Sequence, residues 1–330
     1  MLALDDHALI AALAGGERAR VLREYEDFDA AAARAVCAEH GVVAVCSCDV
    51  RYPVALRDLP DFPAVVFVYG EVARFERMLG RDTVAIVGAR RGSAYGLEQA
   101  RGLGRGLAAT GLTVVSGMAL GIDAAAHAGA LEARGPTVAV LAGGPERAYP
   151  ASKRELHRRI AAHGCVVSEM PPRTAVRRWC FPARNRLIAA FARATVVVEA
   201  GDRSGSLITA TLAADLGREV AAVPGLVTSP LAAGTNSLIA DGAQLVRGPH
   251  DVLELLFGTA APAAPAPAPR SLPADLRELL ERVGDGRDTV AALVADGLPV
   301  DAVLAGLAQL ELRGHLRRAV GGRYVLVVPG

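Results

Sequence analysis

From Thr83 onward the chain alternates brief, continuous apolar runs with longer stretches whose apolar residues recur at helical spacing. The runs 84–87, 113–116, 137–141, 166–168, 196–199 and 219–223 are short and rich in β-branched residues, which predicts strands buried on both faces. Stretches such as 97–109 and 124–134 read as the helices between them. This alternation predicts an α/β core: a parallel sheet covered by helices on both sides. In such sheets ligands bind outside the carboxyl ends of the strands, where the strand order reverses.

The flanks follow other periods. Residues 7–13, 17–25 and 28–40 read as short amphipathic helices, with Gly15-Gly16 between the first two. The pair is similar to a helix-hairpin-helix or SAM-like unit, but its loop is poorly suited to phosphate and the segment is acidic, which favours packing or protein contact. Residues 49–70 connect it to the core, with Pro53, Pro60 and Pro63 excluding helix and 65–69 forming an apolar strand. Residues 259–269 are an Ala/Pro tract of the polyproline II type. Beyond it, 273–283, 289–295 and 300–313 read as helices, and 315–320 with 323–328 as a hairpin across Gly321-Gly322, the outline of a winged helix. The expected domains are 1–50, 51–258 and 271–330, with a linker at 259–270. The third helix of the winged unit has no basic residue before Arg313, so a protein-contact or regulatory role is favoured over duplex reading.

Composition narrows the class. The 330 residues are 52% hydrophobic and 22% charged, with no apolar run near the roughly 18 residues of a membrane helix. The opening segment MLALDDHALI is acidic, unlike a signal peptide, so a cytoplasmic protein without membrane contact is expected. Cys37, Cys46, Cys48, Cys165 and Cys180 contain no C-x-x-C pair, and neither a disulfide framework nor a metal site is expected. The net charge of +1 is unevenly spread: residues 147–193 hold eleven Lys or Arg against Glu155 and Glu169. That bias points to a polyanionic partner, the alternative being a solvated basic face.

The candidate chemistry lies at the strand ends. Gly88, Arg90 and Ser93 follow the first; Ser116, Gly117, Gly121 and Asp123 the second; Gly143, Gly144 and Arg147 the third; Ser168 and Glu169 the fourth; Glu199, Ser204, Gly205 and Ser206 the fifth. One glycine-rich turn is weak evidence, whereas five on one sheet edge indicate a site. A dinucleotide would need G-x-G-x-x-G after the first strand, and a P-loop G-x-x-x-x-G-K-[ST]; neither occurs, and no cofactor is expected. Asp123 and His127 share a helix face without a third ligand, which favours a capping Asp and a packed His. G-x-S-x-G and H-E-x-x-H are absent too. A nucleic-acid reading uses more of the residues. Arg90, Arg147, Arg184 and Arg186, with Lys153, would grip phosphates, and Phe181, with Trp179 or Tyr149, would face unpaired bases. FPARNR (181–186) is expected to precede an apolar helix, and 205–206 to open another with its anion-favouring N-terminus.

The ordered motifs VAIVGARRGSAYG, SGMALGIDAAAH, VAVLAGGPERAYP, SEMPP, FPARNR, EAGDRSGSLITA, AVPG and GTNSLIADGA resemble the DNA-processing protein A (DprA/Smf) family across about residues 52–256. The resemblance implies an extended Rossmann fold that binds single-stranded DNA without catalysis. It also implies a homodimer that loads RecA on incoming DNA in natural transformation and protects that DNA. By position it assigns phosphate contact to Arg90 and Arg147, and a pocket role to Ser168, Arg184, Asn185, Arg186, Gly205 and Ser206. Ala89, Glu146 and Lys153 depart from the family's usual Ser/Thr, Asp and Asn. The family's dimer surface falls within 207–241. Two rivals remain: a Rossmann-like enzyme acting on a nucleotide or nucleoside monophosphate, and a duplex-DNA regulator working through the winged helix.

Overall fold

A computed structural model describes residues 5–80, 82–258, 273–312, 315–319 and 322–326. The Ala/Pro linker lies outside the described residues. The chain divides into two compact units, Met1–Pro265 and Ala266–Gly330.

In the first unit, helices α1 (Asp6–Leu13), α2 (Arg18–Glu26) and α3 (Ala30–Glu39) precede the sheet. Asp5 and Asp29 cap α1 and α3 by accepting from first-turn amides. The sheet comprises β1 (Val42–Cys46), β2 (Val65–Tyr69), β3 (Thr83–Val87), β4 (Thr113–Ser116), β5 (Thr137–Leu141), β6 (Cys165–Ser168), β7 (Ala194–Val197), β8 (Glu219–Ala222) and β9 (Gln244–Leu245). Its order is β1-β2-β6-β5-β4-β3-β7-β8-β9. All neighbours from β6 to β9 run parallel, while β1 and β2 add an antiparallel edge. Strand β1 was not foreseen, because 42–46 follows directly on α3 and nothing local marks its pairing with β2.

The order reverses at β3, whose neighbours β4 and β7 lead to opposite sides of the sheet. Along β3, Val84 and Ile86 enter the core beneath α5 (Ala94–Ala109) and α6 (Ile122–Glu132). Ala85 and Val87 enter the opposite core, with Leu187 and Ile188 of α8 (Cys180–Phe191) and Ala210 of α9 (Gly205–Asp215). Both faces of the strand are thus buried, as its continuous apolar run requires. Helices α4 (Val72–Leu79), α7 (Arg154–His163), α10 (Ala233–Ala240) and α11 (Pro249–Phe257) complete the unit.

The second unit contains α12 (Ala274–Gly284), α13 (Val290–Ala295), α14 (Val300–Leu312) and a two-stranded antiparallel ribbon, β10 (Leu316–Arg318) and β11 (Tyr324–Leu326). Leu276, Leu279, Leu293, Leu307, Leu316 and Tyr324 form its own apolar core. Three helices and a ribbon closed on that core make a winged helix.

Candidate nucleic-acid interface

The turn after β3 is held from the β7 side. Ala89 donates its amide to the Glu199 carbonyl at 2.7 Å, and the Glu199 carboxylate accepts from the Ser93 amide (2.8 Å) and hydroxyl (2.5 Å). Ser93 in turn caps α5 by accepting from Gly96. This fixes the backbone around Arg90 and leaves its side chain on the surface. Gly121, at φ +79°, approaches this turn so closely that a Cβ would lie 2.3 Å from the Ala89 carbonyl oxygen. Only glycine fits there.

The turn after β4 is clamped from both sides at Gly117. Arg184, in the second turn of α8, donates from Nη1 to the carbonyls of Gly117 (2.7 Å) and Val140 (2.5 Å). Asp123, two residues into α6, accepts from the amides of Gly117 (3.2 Å) and Ala119 (3.3 Å). Asp123 therefore does not cap its helix as expected; it reaches back to the preceding loop. Burial pulls the Arg184 guanidinium down to about 10, still charged at neutral pH. Burial likewise pushes the Asp123 carboxyl up, opposed by the charge of Arg184. A Cβ on Gly117 would fall 2.3 Å from Arg184 Nη1, so the glycine is what lets the guanidinium reach the backbone.

Above this buried pair, the Arg90 guanidinium stacks on the Phe181 ring at 4.7 Å, and Phe181 meets Tyr149 with ring centroids 5.6 Å apart. Arg90, Phe181 and Arg184 line two adjoining cavities, of about 200 and 110 Å³. The first extends over Gly88 and Asn185 to Ser204, Gly205 and Ser206 at the start of α9; the second extends over Gly117 to Tyr149. Ser204 caps α9, its hydroxyl 2.7 Å from that of Ser206. Asn185 ties α8 to α9, donating to the Gly205 carbonyl at 3.2 Å.

Other expected site residues are placed differently. Ser116 and Ser168 are fully buried: the Ser116 hydroxyl donates to the Ile86 carbonyl, and that of Ser168 donates to Leu141 while accepting from the Met170 amide. Their hydroxyls brace the sheet edge and do not face it. Arg186 turns away from both cavities to Glu169 (2.6 Å) and Asp61 (3.3 Å), because two residues along a helix is about half a turn from Arg184. Arg147 is exposed and Lys153 half-buried on the loop after β5; neither lines the cavities. FPARNR is not a loop before the helix but its opening turns. Pro182 is tolerated there because first-turn amides have no intrahelical acceptor. His127 is fully buried, as expected, with Nδ1 2.7 Å from the Thr137 hydroxyl, which itself donates to Val114. The clamp role of Asp123 was not foreseen; the six-residue step back to Gly117 is too long for helical spacing to flag.

The arrangement offers forked and buried cations, an aromatic pair and a capped helix start at one topological switch point. The two glutamates at the strand ends are engaged, Glu199 by Ser93 and Glu169 by Arg186. Among the described residues no group of three His, Cys, Asp or Glu could hold a metal ion.

The profile of the family described as DNA recombination-mediator protein A matches residues 43–257, and that of the DprA winged helix domain residues 262–322. The chain is 38% identical over 218 residues to the DNA processing protein DprA of Bacillus subtilis, covering 66% of this chain and 72% of that one. The crystal structure of DNA processing protein A from Streptococcus pneumoniae superposes with a TM-score of 0.68 at 34% identity, over 76% of this chain and 86% of the other. A Helicobacter pylori DNA processing protein A structure, described for its single-stranded DNA binding mode, gives a TM-score of 0.59 at 28% identity over 65% and 95% of the two chains. With the family profile spanning most of the chain and the same fold in its relatives, this protein belongs to the DprA family of DNA recombination-mediator proteins.

Proposed function

We propose that the chain binds single-stranded DNA at the carboxyl edge of its sheet, does no chemistry on it, and delivers it to a RecA-type recombinase in the cytoplasm. The observation that carries the reading is the Arg90–Phe181–Tyr149 stack above the buried Arg184 charge. A guanidinium lying on an aromatic ring beside a second ring offers one group to a phosphate and π faces to an unstacked base. Gly205 and Ser206 supply close backbone approach, Gly88 and Gly117 line the cavities, and Arg147 and Lys153 extend the cationic edge. The relatives' description as DNA processing proteins, one of them for single-strand binding, supports the same reading.

Leu226 and Val227 are exposed apolar residues within 207–241, and we assign the homodimer contact to that region. The first test is fluorescence anisotropy of labelled oligo-dT and of a duplex of equal length over a salt series. Salt-sensitive preference for the single strand is expected. Equal or absent binding of both would overturn the proposal and redirect work to nucleotide ligands. Delivery is read separately, as faster recombinase filament formation on single strands carrying the protein.

A further inference from the structure

Residues 171–179 cross the end of β5, where the chain at Thr174 and Val176 packs on Gly143, and then enter α8. The segment is anchored at Arg173, a non-glycine residue at φ +67°. Its amide donates to Glu146 Oε1 at 2.8 Å, and its guanidinium donates to Glu39 and to His40 Nε2, at 2.9 and 2.8 Å, at the C-terminal end of α3. Beyond this anchor the segment presents Arg177, Arg178 and Trp179 in succession, all exposed. Trp179 is 57% exposed, although an indole is among the most costly side chains to leave in water. Neither Arg177 nor Arg178 has an ion-pair partner among the described residues, whereas Arg173 and Arg186 nearby are both paired. An uncovered indole next to two uncompensated guanidinium groups is matched by a ligand with a π face and a negatively charged backbone.

We propose that Trp179 is a second base-stacking platform for single-stranded DNA, with Arg177 and Arg178 holding the flanking phosphates. Phe181 and Trp179 open the same helix about half a turn apart, so a strand on the first ring continues around the α8 N-terminus to the second. This rests on the single-strand reading of the Arg90–Phe181 edge and extends its footprint beyond the two cavities. Arg173 acts as a positioning residue, tying the segment to the N-terminal helices.

Trp179 is the only tryptophan in the chain, so its emission reports on this site without a label. Oligo-dT is titrated into the full-length protein while intrinsic fluorescence and the anisotropy of a labelled oligo-dT are followed together. Saturable quenching that tracks the anisotropy is expected, with Trp179→Ala binding roughly ten-fold more weakly. Trp179→Phe should retain most of the affinity, and Arg177→Ala/Arg178→Ala should reduce the salt slope. Oligo-dT binding with unchanged emission and wild-type affinity in Trp179→Ala would overturn the platform while leaving the edge reading intact. Absence of any oligo-dT binding would overturn both. Circular dichroism of each variant separates lost stacking from lost fold.

Discussion

Arg90 and Arg184 carry the same charge and do different work. Arg90 is exposed, and its guanidinium rests on Phe181. Arg184 is buried and committed to two carbonyls. Arg90→Ala and Arg147→Ala should therefore weaken oligo-dT binding across base sequences and flatten its dependence on log salt by roughly 0.7 per lost contact. A slope unchanged in both variants would remove these residues from the proposed DNA edge. Arg184→Ala should act first on stability. It strips the Gly117 and Val140 carbonyls of a donor and leaves buried Asp123 without its counter-charge, at a cost of about 2–4 kcal/mol seen in urea unfolding. His127 provides a pH prediction. Burial holds its imidazole down to about 3, from 6.5 when exposed, so between these values the unfolded chain binds more protons than the folded one. Its contribution is complete above pH 6.5 and is lost as the pH falls toward 3. In His127→Gln, the pH dependence of unfolding free energy across that window should be shallower than in wild type.

At the scale of elements, the site is built from helix starts. Helix α5 begins under Ser93, α8 carries Arg184 and Asn185 in its first turns, and α9 begins at the Ser204 cap. Glu199 joins two of these regions, since its backbone and carboxylate together hold the β3 turn and the α5 cap. Glu199→Ala should cost about 1–3 kcal/mol of stability and loosen the turn that carries Arg90. Its oligo-dT affinity should fall while the salt slope stays at the wild-type value, because no phosphate contact is removed. A changed slope would mean that Glu199 acts on the DNA charge directly. The parallel strands were legible because an apolar run buried on both faces leaves an unbroken signature. Helix α8 was legible only from its middle, since Pro182 and the arginines resemble loop chemistry until their place in the opening two turns is known. The antiparallel edge strand β1 is not marked in the sequence because its partner, β2, lies some twenty residues away and nothing local requires the pairing.

The chain divides into two units, and among the described residues each has its own apolar core. A chain ending at residue 258 should fold and bind oligo-dT within about three-fold of full-length affinity; a larger loss would place part of the DNA site on the winged helix. Oligomeric state can be tested at the exposed apolar residues after β8. Val227→Asp combined with Leu226→Asp should shift the protein toward monomer in sedimentation velocity, without changing the thermal unfolding of the sheet unit. An unaltered distribution would remove these residues from the proposed dimer contact.

The sequence by itself determined the alternation of strands and helices, the winged helix, the family, and the sheet edge at which the chemistry gathers. Each of these is written in local periodicity, in glycine at backbone crossings or in an ordered run of motifs, so neighbours along the chain suffice to show it. Only the tertiary structure decided which charges are free. Arg90, Arg184 and Arg186 look alike in the chain. One lies on an aromatic ring, one is consumed by carbonyls at the ends of other strands, and one is neutralised by Glu169 and Asp61. The same holds for Ser116 and Ser168, whose hydroxyls turn inward to carbonyls on neighbouring strands. Their partners lie between 17 and 125 residues away along the chain, and strand order and half a turn of helix settle which side chains meet.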